Sequence, residues 1–220
     1  MGLEEHIAIP VSDELLTHAL GQRICPICSV LQQKTSDLLC KLQFEAVRNQ
    51  EVNALVLSAG GYCHFHFWYL ERLASPVTNA QLLESLLKKI EKEYLDISGD
   101  PAVSFGDTSR CPVCCSCKEW EEKLLISFAA KTQEREFRAV YESSRGLCLP
   151  HVAKVLKRLP DREQRGFLVK SSRSQLESLI QELRVQIAKW QNKDHSRGGE
   201  SDATYRAIGK IVGGKNYRAE

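Results

Sequence analysis

Residues 111–151 read CPVCCSCKEWEEKLLISFAAKTQEREFRAVYESSRGLCLPH, a Cys-Pro-Val-Cys knuckle at 111–114, a long helical run, and a Gly-Leu-Cys-Leu-Pro-His turn at 146–151. The pattern occurs twice. The earlier copy opens with Cys25-Pro-Ile-Cys28 and closes with Gly61-Tyr-Cys-His-Phe-His66. Between the second and third cysteines lie 34 residues in the first copy and 33 in the second. Each copy thus holds a complete Cys-x2-Cys…Cys-x2-His set, and two such i, i+3 pairs supply the four soft or borderline donors of a tetrahedral metal. The spacing predicts two Cys3His sites, Cys25, Cys28, Cys63 and His66 in one, and Cys111, Cys114, Cys148 and His151 in the other. Zinc is the metal that suits such a donor set, with a [4Fe–4S] cluster as the alternative.

The copies align beyond the ligands. At an offset of 85 or 86 residues Val52, Ala54 and Leu55 fall on Phe137, Ala139 and Val140, and Gly61 falls on Gly146. The recurring glycine suits a helix end that must take positive φ before turning back toward the metal. Periodicity around the knuckles is helical throughout. Ser12 caps a short helix to Leu20. Ile27, Val30, Leu31, Leu38, Leu39, Leu42 and Ala46 share one face of a helix of about five turns, with Pro26 in its first turn. Residues 79–95 form an amphipathic helix capped by Thr78 or Asn79, and a long one runs from Asp161 to about Trp190. The expected fold is all-α: an N-terminal helical half over 1–97 with the first site, a turn-rich linker over 98–110, and a C-terminal helical half over 111–192 with the second. A mobile tail over 193–220 carries a short docking segment around Tyr205, Ala207, Ile208, Ile211 and Val212.

Composition narrows the setting. The chain has 220 residues, 43% of them apolar, enough for a core without metal. Residues 1–11 lack a basic-then-apolar leader, and no apolar run approaches a membrane span, which points to a cytoplasmic protein. Nine cysteines in CxxC spacing read as thiolate ligands rather than disulfides in a reducing compartment. Cys115 and Cys117 crowd the second knuckle as spare thiols, Cys40 reads as a buried small hydrophobe, and His64 as a surface neighbour of His66.

Three functional classes follow from these features. Closed four-donor sites leave no position for a reacting water, so an interaction or scaffold role for an unidentified protein partner is favoured over hydrolysis. Thiol-based redox or metal sensing through Cys114, Cys115 and Cys117 is the second class. CPxC at a helix start resembles a redox dithiol, but no strand precedes either knuckle as a thioredoxin-like βαβ unit requires. The third is binding of an anionic partner or nucleic acid through Lys154, Lys157, Arg158, Arg162 and Arg165, since residues 111–220 carry 21 Lys and Arg against 14 Asp and Glu. The doubled CPxC and G-x-C-x-x-H frame, with His6-Ile-Ala-Ile-Pro-Val and the Arg206-Ala-Ile…Val212-Gly segment, resembles a bacterial and archaeal family of uncharacterised proteins with a domain of unknown function. That resemblance implies the repeated Cys/His frame and no reaction.

Overall fold

A computed structural model describes residues 12–73, 75–94, 107–191 and 202–214. The His6–Pro10 segment, most of the expected linker and the outer parts of the tail lie outside the described residues. Among those described there are ten helices and no strand. They are α1 (Asp13–Ala19), α2 (Pro26–Arg48), α3 (Gln50–Ser58), α4 (His64–Leu73), α5 (Pro76–Tyr94), α6 (Pro112–Lys131), α7 (Arg135–Ser143), α8 (Leu149–Leu156), α9 (Arg162–Gln191) and α10 (Ala203–Val212).

The proline knuckles set the register of the two long central helices. Pro26 and Pro112 each occupy a first helical position, where the missing N–H has no intrahelical partner to lose. Cys25 and Cys111 accept the first intrahelical bonds, from Ser29 at 2.9 Å and Cys115 at 3.1 Å. α3 begins at Asn49, whose side chain accepts from the amides of Glu51 and Val52. Ser12 takes the N-cap place of α1 without a side-chain cap bond. α5 starts at Pro76, ahead of the expected Thr78 or Asn79 cap, and Asn79 Oδ1 instead accepts from the buried Gln43.

The helices sort into two compact units, cut differently from the expected halves. The described residues of Gln33–Trp120 form one, and those of Val11–Gln32 with Glu121–Glu220 form the other. The division falls inside α2 and inside α6, not in the stretch 98–110. In the first unit Leu38, Leu39, Leu42, Val52, Val56, Leu82 and Leu86 are buried, with α5 packed on α3 and α4. In the second, Phe128 meets Phe137 and Tyr141 edge to face, each with centroids 5.3 Å apart, above Leu16, Ile27, Leu31, Leu124 and Leu168.

Two further expectations, for Cys40 and for the docking face of the tail, are corrected. Cys40 is exposed, because its position on α2 faces away from the buried Leu38, Leu39 and Leu42. α9 packs through Leu168 and Leu179, whereas Ile180 and Ile187 farther along are exposed. α10 docks on α8 and α9 with Ala203, Arg206 and Lys210 buried, and leaves Tyr205, Ile208, Ile211 and Val212 outward. Its buried polar side is satisfied by paired charges, since Arg206 bonds to Asp202 at 2.7 Å and to both oxygens of Glu182.

Candidate metal centres

All eight sequence-predicted ligands gather into two four-donor clusters, but with the partners exchanged. Cys25 and Cys28 meet Cys148 and His151; Cys63 and His66 meet Cys111 and Cys114. Each cluster lies within one compact unit, the first in the unit containing residues 121–220 and the second in Gln33–Trp120. Helix length runs with this exchange: α2 has 23 residues and rises about 34 Å, of which nine-residue α3 retraces at most about 13 Å as helix, and α6 and α7 have 20 and nine residues. Each CxxH pair meets the knuckle of the other copy.

Local structure aims every donor pair inward. Each knuckle lies at the N-terminus of a long helix, and Cys63 and Cys148 sit immediately before α4 and α8, their carbonyls accepting from Phe67 at 3.0 Å and Val152 at 2.9 Å. Two helix N-termini thus converge on each cluster, and their unpaired amides and dipoles favour thiolates. The turns leading into α4 and α8 need glycine. Gly61 has φ +85° and Gly146 φ +70°, and a side chain on Gly61 would strike the Phe67 ring while one on Gly146 would strike Gln175.

The donor spacings fit one ion per cluster. In the first, His151 Nδ1 stands 3.4 Å from Cys25 Sγ, 3.4 Å from Cys28 Sγ and 3.1 Å from Cys148 Sγ, with Cys28 and Cys148 Sγ 3.8 Å apart. In the second, His66 Nδ1 is 3.2 Å from Cys63 Sγ and 3.4 Å from both Cys111 and Cys114 Sγ, and Cys63 and Cys114 Sγ are 3.6 Å apart. A tetrahedral zinc with Zn–S of about 2.3 Å and Zn–N of about 2.0 Å has edges of roughly 3.5 to 3.8 Å. Every donor atom of a cluster lies within 4.8 Å of the others.

Electrostatics ask for a cation. Burial opposes ionisation of Cys25, yet hydrogen bonds from Cys148, Cys28 and His151 outweigh it and draw that thiol well below its ordinary value. The same network pushes Cys28 far up, through Cys148 and Cys25. Hydrogen bonds from Cys111 and Cys114 likewise hold Cys63 down, and those from Cys111 and Cys63 hold Cys114 up. In each cluster the shared hydrogen bonds favour one thiolate and disfavour a second, and a divalent cation among the donors would let further thiols ionise. Burial works against the charge on His66 and His151, but the thiols around them raise both to about 11.

A further residue escaped the sequence reading. Glu121 Oε1 lies 2.9 Å from His151 Nε2, and Lys154 holds the carboxylate at 2.7 and 2.9 Å. With Nδ1 turned to the thiols, the Nε2–H donates to Glu121, which orients the ring and raises its basicity as a ligand. The signal in sequence was position: Glu121 falls on the inner side of α6, where Trp120, Leu124 and Leu125 are also buried. His64 stays outside the clusters, exposed, its Nε2 accepting from Trp68 Nε1 at 3.2 Å.

The basic run is largely committed internally. Lys154 pairs with Glu121, Arg158 forms a fork on the Glu122 carboxylate, and Arg165 donates to the carbonyls of Leu156 and Leu159. None of the described helices is long and apolar enough to cross a membrane.

Comparisons with curated proteins and with solved structures found no match. A family model does match, over residues 104–218, which takes in the second knuckle, the second CxxH turn and α10. On that match the chain belongs to a family of unknown function, DUF6062.

Proposed function

We propose that each cluster holds one zinc ion as a structural centre, and that the chain is a zinc-stapled helical module for binding another protein. The observation that carries the reading is the mutual distance of the donors, all within 4.8 Å. An iron–sulfur cube spreads its ligands over separate irons and needs donors well beyond that separation, so the spacing favours a single ion over a cluster. With three thiolates and one imidazole the coordination is complete, leaving no open position for a water, which favours a structural over a hydrolytic centre.

The residues do the positioning. Cys25, Cys28, Cys148 and His151, and likewise Cys63, His66, Cys111 and Cys114, would hold the ion; Glu121 fixes the His151 ring, and the helix N-termini bearing the ligands offset thiolate charge. Bound zinc supplies a cross-link between segments remote in sequence. The interaction role is supported by apolar side chains left outward, Trp68, Leu83 and Leu87 on the first unit and Tyr205, Ile208, Ile211 and Val212 on α10. Elemental analysis with an absorption spectrum, on protein purified without oxygen, tests the metal reading. Two zinc per chain and no visible colour is the expected result; iron with acid-labile sulfide overturns it.

A further inference from the structure

The two centres use the same four residue types in different surroundings. Around Cys25, Cys28, Cys148 and His151 all four donors are buried, and α10 with its Gly213–Gly214 end closes over them. A Cβ on Gly213 would stand 3.5 Å from Cys28 Sγ and 3.8 Å from Cys148 Sγ, and one on Gly214 would stand 3.1 Å from Cys28 Cβ. Gly213 takes φ +91°, which allows the chain to leave the helix at this close approach. α10 also supplies Arg206, Gly209 and Lys210 to one wall of a cavity of about 270 Å³ that ends on Cys25 and Cys148.

Lys210 gives this closure an electrostatic basis. Lys210 is buried, shares the cavity lining with Cys25 and Cys148, and donates to two neutral acceptors, Arg145 O and Gln175 Oε1, each at 3.2 Å. Three thiolates around a divalent ion carry one net negative charge, for which a buried ammonium is the matching counter-charge.

The other centre is open on one side. Cys114 is part-exposed, whereas Cys63, His66 and Cys111 are buried. Cys115 beside it is exposed, and Cys117, one turn on, lies 3.1 Å from Thr35 Oγ1. At the offset relating the two copies Glu121 falls on Thr35, so a hydroxyl replaces the carboxylate–lysine pair that steadies His151.

We infer that the Cys63, His66, Cys111 and Cys114 centre exchanges its ion with outside thiol or chelating donors, while the Cys25, Cys28, Cys148 and His151 centre keeps its ion under the seal of α10. The inference rests on the zinc reading above. Exchange is a ligand substitution without change of oxidation state: an incoming donor binds the ion as the bond to part-exposed Cys114 Sγ breaks, and that thiolate takes up a proton from solvent.

The test uses the full chain with its metal content measured first, mixed with excess 4-(2-pyridylazo)resorcinol and the release of ions followed with time. Two phases of equal amplitude are expected, separated by about tenfold or more in rate. Cys63→Ala removes the fast phase and leaves the slow one. Lys210→Met speeds the slow phase by about tenfold and leaves the fast one unchanged. Gly214→Val, whose side chain would press on Cys28 Cβ and loosen the segment after α10, carries the same expectation if Lys210→Met fails to fold. A single phase carrying both ions, loss of the slow phase in Cys63→Ala, or a slow phase unmoved by a folded α10 variant overturns the inference while the zinc reading stands. Protein without two ions per chain at the start overturns both.

Discussion

Pairs of cysteine substitutions read the wiring of the two centres directly. Cys28 and Cys148 belong to one cluster, and Cys28 and Cys63 to different ones, although Cys28 and Cys63 share a sequence copy. On the proposed reading of one zinc per cluster, Cys28→Ala and Cys148→Ala each leave one ion, and the double variant also leaves one, because both changes strike the same centre. Cys28→Ala with Cys63→Ala leaves none. A structural zinc of this kind contributes on the order of 10 kcal/mol or more, comparable with the whole stability of a domain, about 5–15 kcal/mol. Loss of a centre therefore unfolds its unit: Cys148→Ala melts the unit built on α7 to α10, and Cys111→Ala melts Gln33–Trp120. The assay is elemental analysis of gel-filtered protein alongside thermal unfolding followed by circular dichroism. One ion retained by Cys28→Ala/Cys63→Ala, with none in Cys28→Ala/Cys148→Ala, would refute the exchanged pairing and restore the one expected from sequence order.

Other outcomes follow from particular contacts. Glu121→Gln keeps the size of the side chain but weakens the bond to His151 Nε2, and lowers zinc affinity of that centre about 10–100-fold in chelator competition, with the other centre unchanged. Gly61→Ala, at φ +85° and against the Phe67 ring, destabilises the Gln33–Trp120 unit by about 1–2 kcal/mol in denaturant unfolding; an unchanged midpoint would contradict the strain. Hydrogen bonds from Arg206 hold the Glu182 and Asp202 carboxyls below their ordinary values. Their stabilisation is present above the ordinary carboxylate range and lost as pH falls through the lowered values, so amides of α10 lose exchange protection under acid. Glu182→Gln shows faster amide exchange in α10 at neutral pH, and an unaffected rate in that variant would dismiss the pair as an anchor.

The exposed side of α10 shows how apolar residues mislead when read alone. Tyr205, Ile208, Ile211 and Val212 look like the docking face, yet they stay outward while Arg206 and Lys210 turn in. The inward charges have partners no local pattern reveals: Glu182 on α9 for Arg206, and for Lys210 the carbonyl of Arg145 and Gln175 Oε1. Glu121 is a similar case, a charged residue on an apolar side made stable by His151 and Lys154 from α8.

Residue order alone determined the helical class, the positions of the knuckles, the glycines that turn into the CxxH pairs, and which eight Cys and His residues gather into the two clusters. These follow from short-range rules, since a proline opens a helix, a positive φ selects glycine, and an i, i+3 pair shares one face. Which CxxC meets which CxxH was decided only in three dimensions. Two CxxC and two CxxH pairs of identical chemistry can be joined in two ways, and nearness along the chain favours the wrong one. Helices of 23 and 20 residues, α2 and α6, alternate with nine-residue α3 and α7, so separation along the chain is a poor guide to distance, and the packing of the helices sets the pairing.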